Sequence, residues 1–187
     1  MGRLVYSFST SLDGYVVDEH GSFDWSTPSE EVHAFINDRL AGVGTFLFGR
    51  RLYETMRVWE TLDLGDDAGA MAGFAAIWHD ADKVVYSTSL PESEITTART
   101  RLERRFDVGE ARALAEASDR DVELGGPTLA ADAFRAGAFD VISLYVLPVI
   151  VGGGTRALPD GARLDLDLVD ERRFDNGWVY LSYRPTP

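Results

Sequence analysis

Three short stretches of the sequence combine glycines, arginines and hydroxyl groups at the ends of predicted strands. They are Gly49-Arg50-Arg51, Ser87-Thr88-Ser89 and Gly125-Gly126-Pro127-Thr128. Glycine lets the backbone approach a ligand closely, the free amides at a helix start attract anions, and guanidinium groups bind phosphate through paired hydrogen bonds. If the strands are parallel, all three stretches meet at one edge of the sheet, which predicts a binding site for a phosphate-rich cofactor.

Each stretch also has a purely structural interpretation. The arginines after Gly49 can be solvated side chains, and the glycine pair at 125 and 126 can form a simple tight turn. The hydroxyl groups of residues 87–89 can do no more than cap the chain after a strand. The convergence of the three stretches, rather than any one of them, favours the cofactor site.

Several common types of site have no motif in this sequence. It has no G-x-G-x-x-G after the first strand, no G-x-x-x-x-G-K-[ST] and no G-x-S-x-G. Cysteine is absent, and His20, His33 and His79 lack the spacing of metal ligands, so we expect no metal site. Gly152-Gly153-Gly154 is not followed by a helical pattern, and we interpret it as a turn near the site.

The composition limits the partners of the protein. The chain has 187 residues, with 18 basic and 31 acidic side chains and a formal net charge of −13. Such a charge argues against nucleic acid and anionic membranes as partners. No apolar run is long enough to cross a membrane, and the first residues do not resemble a signal peptide. We therefore expect a cytoplasmic protein whose residues 1–187 form a single domain.

Hydrophobic periodicity predicts alternating strands and helices. The predicted strands cover residues 3–10, 15–17, 45–48, 84–87, 100–106, 121–125 and 139–151. Helices are predicted to begin after Thr27-Pro28 and at Gly49, and to cover residues 70–79, 110–117 and 127–136. Asn176-Gly177 predicts a hairpin between residues 163–174 and 178–184. The pattern indicates an α/β fold with a mostly parallel sheet and an antiparallel C-terminal hairpin.

A set of motifs, in the same order along the chain, resembles the dihydrofolate reductase superfamily. The set comprises Ser11-Leu12-Asp13-Gly14, residues 49–54, residues 83–88, Gly125-Gly126 with Leu129, and Pro148 followed by residues 152–154. Within that superfamily the chain is similar to the branch that contains the C-terminal reductase domain of the bifunctional riboflavin-biosynthesis deaminase-reductase. The resemblance covers nearly the whole chain and implies a three-layer α/β/α fold that binds NADPH.

The resemblance also assigns cofactor roles to the three stretches. Gly49, Arg50 and Arg51 would bind the cofactor phosphates. Ser87 and Thr88 would lie beside the adenosine 2′-phosphate. Gly125 and Gly126 would approach the pyrophosphate through a cis peptide, with Thr128 in the helix start that follows. Arginine and hydroxyl groups, in place of a ribose-binding carboxylate, favour NADPH over NADH.

Two carboxylates are candidates for the catalytic acid that accompanies hydride transfer. Glu30 ends a stretch, Trp25-x-x-Pro28-x-Glu30, that resembles the one carrying the pterin-binding acid of dihydrofolate reductase. It can equally be an ordinary acid in the first turn of a helix. Asp13 is the rival, although an Asp-Gly turn after a strand is often structural. The aromatic residues Tyr15, Phe23 and Trp25 are equally suited to stack on a flat heterocycle or to anchor a loop.

We therefore predict an NADPH-dependent reductase that acts on a small, heterocyclic substrate such as a pterin or an aminopyrimidine. The alternative is an NADP(H)-binding module of the same fold without efficient turnover. We also predict a homodimer, because the strand over residues 139–151 and the hairpin with Trp178, Tyr180 and Tyr183 offer an edge to a second copy.

Overall fold

A computed structural model of the chain describes residues 1–65 and 68–186. The strands are β1 (Leu4–Ser11), β2 (Tyr15–Val17), β3 (Val43–Gly49), β4 (Asp82–Tyr86), β5 (Thr100–Glu103), β6 (Asp121–Gly125), β7 (Val141–Leu147), β8 (Thr155–Arg156), β9 (Leu166–Arg173) and β10 (Val179–Pro185). The α-helices are α1 (Glu30–Leu40), α2 (Arg50–Met56), α3 (Ala70–Asp80), α4 (Val108–Ala117) and α5 (Pro127–Arg135). Short 3-10 turns cover Asp24–Ser26, Arg57–Glu60 and Glu92–Glu94.

The main sheet has eight strands in the order β5-β4-β3-β6-β1-β7-β10-β9. The strands from β5 to β7 pair in parallel, whereas β10 is antiparallel to both β7 and β9. This arrangement confirms the predicted fold class. Strands β2 and β8 form a separate antiparallel pair.

Helices cover both faces of the sheet because the side chains of each strand alternate between them. Leu4 and Tyr6 of β1 pack in one core cluster with α4 and α5. On the other face, Phe46 and Phe48 of β3 pack with α2 and α3. A third cluster on that face joins α1 to Tyr145 of β7 and to the C-terminal hairpin.

The centre of this second face lacks an apolar filling. There β1 contributes Ser7 and Ser9, while β6 contributes Glu123 and Gly125, and these four residues line a cleft. The cleft lies between the cluster built on β3 and the cluster built on β7. The layer architecture therefore leaves a polar floor at the middle of the sheet.

The last parallel strand is shorter than predicted. Strand β7 ends at Leu147, because Pro148 has no backbone N–H to donate to a neighbouring strand. It lies between β1 and β10, so both of its edges are already paired. Trp178 and Tyr180 are only 5% and 3% exposed, in the protein's own core. Strand β7, Trp178 and Tyr180 therefore offer no free edge, but the other strand of the predicted hairpin, β9, is the outer strand at this end of the sheet. The homodimer stays a prediction.

The first helix begins two residues later than Pro28. Its N-cap is Ser29, whose Oγ accepts a hydrogen bond from the Val32 amide at 3.4 Å, and Glu30 is the first helical residue. Strand β5 forms within the predicted strand over residues 100–106 but ends at Glu103, and it is the outermost strand at the other end of the sheet. Within residues 1–65 and 68–186, no helix is long and apolar enough to cross a membrane.

Candidate active site

A cleft of about 1690 Å³ opens at the carboxyl ends of the parallel strands. Its walls come from α1, from the start of α2 and from the loops after β4 and β6. The predicted cofactor residues all line this one cleft: Gly49, Arg50, Arg51, Ser87, Thr88, Gly125, Gly126 and Thr128. The parallel order of β4, β3 and β6 brings the three stretches together, because the carboxyl ends of neighbouring parallel strands meet at the same edge.

Gly49 is the N-cap of α2 at the end of β3. Its φ of −76° and ψ of 161° suit any residue, and an added Cβ would meet only the Cβ of Leu129, at 3.9 Å. Neither conformation nor packing within the described residues requires glycine here. The Arg50 guanidinium is held by Glu54, with Nε 2.7 Å from Oε1, and its Nη1 lies 3.4 Å from Oγ of Ser89.

The loop after β4 is organised by its own hydroxyl group and by Arg104, the residue that directly follows β5. Oγ of Ser87 accepts hydrogen bonds from the backbone amides of Leu90, at 3.0 Å, and Ser89, at 3.3 Å. Arg104 donates from Nη1 to the carbonyl oxygens of Leu90, at 2.6 Å, and Ser87, at 3.2 Å. Arg104 also lines the cleft. Three arginines, at 50, 51 and 104, therefore line this cleft in a chain of net charge −13.

Positions 125 and 126, at the end of β6, favour glycine for two different structural reasons. A Cβ on Gly125 would lie 2.7 Å from Cδ2 of Leu52 and 3.1 Å from the Phe48 ring, so these side chains would have to shift to admit it. Gly126 has a φ of +93°, which L residues rarely adopt, and it precedes Pro127 at the start of α5. The expected cis peptide is absent: every peptide bond of the described residues is trans.

The two predicted acids lie outside the lining of the cleft, and each is used by the fold. Oε1 of Glu30 accepts a hydrogen bond from the Ala70 amide at 2.6 Å, at the start of α3. The Asp13 carboxylate accepts hydrogen bonds from the amides of Val151, at 3.1 Å, and Gly152, at 2.8 Å. The Ser11 hydroxyl and these two amides lower the pKa of Asp13. Their catalytic roles stay predictions.

Two ionisable residues that line the cleft, His33 and Glu123, are not among the predicted site residues. His33 of α1 is partly buried beside Trp59, with ring centroids 6.1 Å apart, and burial lowers the pKa of its imidazole. Glu123 of β6 is 9% exposed, and burial, with a smaller contribution from Asp121, raises its pKa to about 8. A glutamate in the middle of a buried strand was the signal in the sequence.

The three aromatic residues of the N-terminal segment divide between the two interpretations left open. Phe23 is 43% exposed and lines the cleft, so it is available to a ligand. Trp25 packs against the core cluster of α1 and the hairpin. Tyr15 lies under the guanidinium of Arg156, 5.3 Å from its ring centroid.

Comparison with known families supports this architecture. Residues 3–180 match the family described as RibD C-terminal domain. The chain belongs to the RibD C-terminal domain family. It is 31% identical over 166 residues to the riboflavin biosynthesis protein RibD of Mycobacterium tuberculosis, strains CDC 1551 / Oshkosh and ATCC 25618 / H37Rv. The match covers 84% of this chain and 45% of that protein, so the chain spans less than half the length of these relatives.

Solved structures show the same fold at low sequence identity. A putative riboflavin biosynthesis protein from Shewanella sp. PV-4 aligns with a TM-score of 0.76 and 16% identity, over 99% of each chain. Dihydrofolate reductase from Enterococcus faecalis, complexed with NADP(H), aligns with a TM-score of 0.66 and 15% identity, over 100% of this chain and 98% of that one. The predicted dihydrofolate reductase-like fold is thereby confirmed for this RibD C-terminal domain.

Proposed function

We propose that this RibD C-terminal domain is an NADPH-dependent reductase of a small heterocyclic substrate. The observation that carries the proposal is the convergence of the glycine, arginine and hydroxyl stretches on one cleft of about 1690 Å³. A cleft of this size has room for a dinucleotide and a substrate together. The family relationship, in which the M. tuberculosis relative is a riboflavin biosynthesis protein, supports the same conclusion.

The residues present fit a phosphate-bearing dinucleotide. At Gly49, an added Cβ would have no contact closer than 3.9 Å among the described residues, so the glycine leaves space for a phosphate at the helix start. Arg50 and Arg51 stand at that helix start, where guanidinium groups and free amides favour phosphate. When bound, the nicotinamide cofactor supplies a hydride to the substrate.

Different residues of the chain are assigned to different parts of the cofactor. Arg50, Arg51 and Thr88 would hold the phosphate on the adenosine ribose, and Arg104 fixes the loop that carries Thr88. The backbone at Gly125 and Gly126 gives the pyrophosphate a close approach. The start of α5, with Thr128 in its first turn, contributes further amides.

The substrate end of the cleft suits a flat, polar ring. Phe23 supplies an exposed aromatic face at the rim, while Ser7 and Ser9 supply hydroxyl groups on the floor. Such a combination favours a pyrimidine or a pterin over an aliphatic carbonyl compound, since a flat heterocycle both stacks and accepts hydrogen bonds.

Substrate-dependent oxidation of NADPH tests the proposal. The purified protein is incubated with NADPH and a panel of aminopyrimidines, pterins and simple carbonyl compounds, and the product is examined by mass spectrometry with deuterium at the transferable position of NADPH. We expect deuterium in the product of a heterocyclic substrate. Tight binding of NADPH without transfer to any compound would overturn the reductase and leave the non-catalytic NADP(H)-binding module.

We also propose that the protein forms a homodimer through β9. This strand is the outer one at its end of the sheet, and it exposes Leu166, Leu168 and Val169, with relative exposures of 39%, 50% and 50%. An unpaired edge strand with exposed apolar side chains is a surface for pairing with a second copy, although β9 also carries five charged residues among its eight. Sedimentation should show a dimer that dissociates in Leu168→Glu; a wild-type monomer at all concentrations would contradict it.

A further inference from the structure

Glu123 is the ionisable residue among the four that form the floor of the cleft. It lies on β6, between Val5 of β1 and Phe46 of β3 in the register of the sheet. The residue is 9% exposed, and its Oε2 is buried without a hydrogen-bond partner among the described residues. A buried carboxyl oxygen without a partner is costly to a fold, so such a group points to a ligand or a functional role.

In the part of the chain that the structure describes, no cation is paired with this carboxyl group. Two arginines line the smaller cavity of about 310 Å³ that also reaches Glu123, but both are engaged elsewhere. Arg3 is paired with Asp121 at 2.6 Å, and Arg39 is paired with Asp170 at 2.6 Å. Among residues 1–65 and 68–186, no ion pair includes Glu123.

The other titratable or hydroxyl groups around Glu123 come from every element packed on this part of the sheet. They are Ser7 of β1, Asp121 of β6, Ser143 and Tyr145 of β7, Asp170 of β9, Tyr180 and Ser182 of β10, and His33 and Arg39 of α1. Asp121 adds a negative charge, and burial lowers the pKa of His33, which favours its neutral form. The surroundings therefore favour the uncharged carboxylic acid at Glu123.

The position of Glu123 relative to the cofactor stretch is fixed by the strand. It precedes Gly125 by two residues on the same face of β6, which is about 7 Å along the strand. Both residues line the large cleft. A substrate placed beside a cofactor on Gly125 would therefore lie over Glu123.

We propose that Glu123 is the acid that binds the substrate in this cleft and protonates it. The inference rests on the proposed reductase function. The protonated carboxyl group donates a hydrogen bond to an acceptor nitrogen or oxygen of the heterocycle. As hydride reaches the carbon of the C=N or C=O bond, the π electrons of that bond move to the acceptor. The acceptor then takes the proton, the O–H electron pair stays on Glu123 as carboxylate, and water restores the proton.

The raised pKa of about 8 supports this role, because such an acid is mostly neutral at pH 7 and still releases its proton readily. Asp13 and Glu30 compare poorly as proton donors, since each carboxylate is bound to backbone amides away from the cleft lining. His33 is the remaining rival in the cleft.

The first test measures the carboxyl group itself, without substrate. Carbon-13 NMR of glutamate-labelled protein should show one carboxyl group that titrates near pH 8 and is missing from Glu123→Gln. The matched control is Glu116→Gln, an acid of α4 whose side chain is 53% exposed. If the Glu123 carboxyl group titrates at the ordinary pH of glutamate, the proposal is overturned.

The second test separates Glu123 from the reductase function. We expect Glu123→Gln to bind NADPH within about twofold of wild type and to lose at least about 100-fold in kcat, with the loss of activity above pH 8 no longer seen. Glu116→Gln should behave as wild type, and His33→Asn should keep the alkaline limb. Wild-type turnover with unchanged kcat and pH profile in Glu123→Gln overturns the role of Glu123 alone, whereas absence of NADPH binding in the wild type overturns the proposed function. If Glu123→Gln does not fold, the wild-type spectrum decides, because the absence of any glutamate carboxyl group that titrates near pH 8 overturns the proposal.

Discussion

Oε1 of Glu30 accepts a hydrogen bond from the backbone N–H of Ala70 at 2.6 Å, so the first residue of α1 caps the first residue of α3. Gly69 adopts a φ of +52°, and an added Cβ there would lie 2.4 Å from that same oxygen. The carboxylate therefore serves a helix start that has no cap of its own. This geometry favours the structural interpretation of Glu30.

We predict that Glu30→Ala lowers the free energy of unfolding by about 1 kcal/mol, because the α3 amides lose their acceptor. NADPH affinity should stay within about twofold of wild type. Urea unfolding and a fluorescence titration measure the two quantities. Asp38→Ala, which removes an exposed carboxylate from the same helix, is the control. Loss of turnover in Glu30→Ala with unchanged stability would instead establish it as the catalytic acid.

Asp13 fastens the loop that carries Gly152 to the end of β1. Since hydrogen bonds lower its pKa in the folded protein, its contribution to stability is present above the unfolded value of about 3.9 and is lost as the pH falls through the lowered value. Wild type should therefore be more stable than Asp13→Asn at pH 7, and the difference should shrink below pH 4. Urea unfolding at several pH values measures it, with Asp160→Asn as the exposed control. If wild type and Asp13→Asn differ in free energy of unfolding by the same amount at all pH values, the hydrogen bonds of the Asp13 carboxylate do not contribute as proposed.

A substitution at Gly49 should change NADPH binding without changing the stability of the fold. Gly49→Ala should leave the free energy of unfolding within about 0.5 kcal/mol, since the backbone suits any residue and the nearest atom to the new Cβ is 3.9 Å away. It should raise the Kd for NADPH about tenfold, because the methyl group enters the space of the phosphate. Gly42→Ala, where an added Cβ meets nothing within 4 Å, is the matched control. Equal NADPH affinity in the two variants would show that the cofactor phosphate does not lie against Gly49.

Arg104 fixes the loop after β4 through two carbonyl oxygens. Arg104→Ala should cost about 1 kcal/mol of stability and weaken NADPH binding about tenfold, because the loop loses its anchor and the cleft loses a positive charge. Isothermal calorimetry and thermal unfolding measure both effects. Arg101→Ala removes an exposed arginine of the adjoining strand β5, whose Nε lies 3.4 Å from Oε1 of Glu103, and should change neither quantity. Unchanged NADPH affinity in Arg104→Ala would show that Arg104 does not contribute to cofactor binding.

Local patterns in the sequence were sufficient for most of the fold and for the cofactor stretches. The strand over residues 121–125 and the hairpin at Asn176-Gly177 follow from apolar runs and turn chemistry that need no distant partner. Residues 49–51 and 87–89 lie directly after parallel strands, so the strand pattern alone places them at one edge of the sheet.

The residues that the sequence could not place depend on strand order. Arg104 reaches the cleft because β5 pairs with β4, and Glu123 reaches it because β6 is inserted between β3 and β1. Glu30 was nominated by a local motif, but its partner Ala70 lies 40 residues away. Long-range pairing of this kind leaves no periodic signal in a single sequence.

The most direct test of the central claim is a titration of the wild type and Arg50→Ala with NADPH and with NADH, followed by nicotinamide fluorescence. The two cofactors differ by the 2′-phosphate, which the arginines and Thr88 would bind. We predict that wild type binds NADPH at least about tenfold more tightly than NADH, and that Arg50→Ala removes most of that preference while leaving NADH binding unchanged. Equal affinity for the two cofactors in wild type, or binding of neither, would contradict the account.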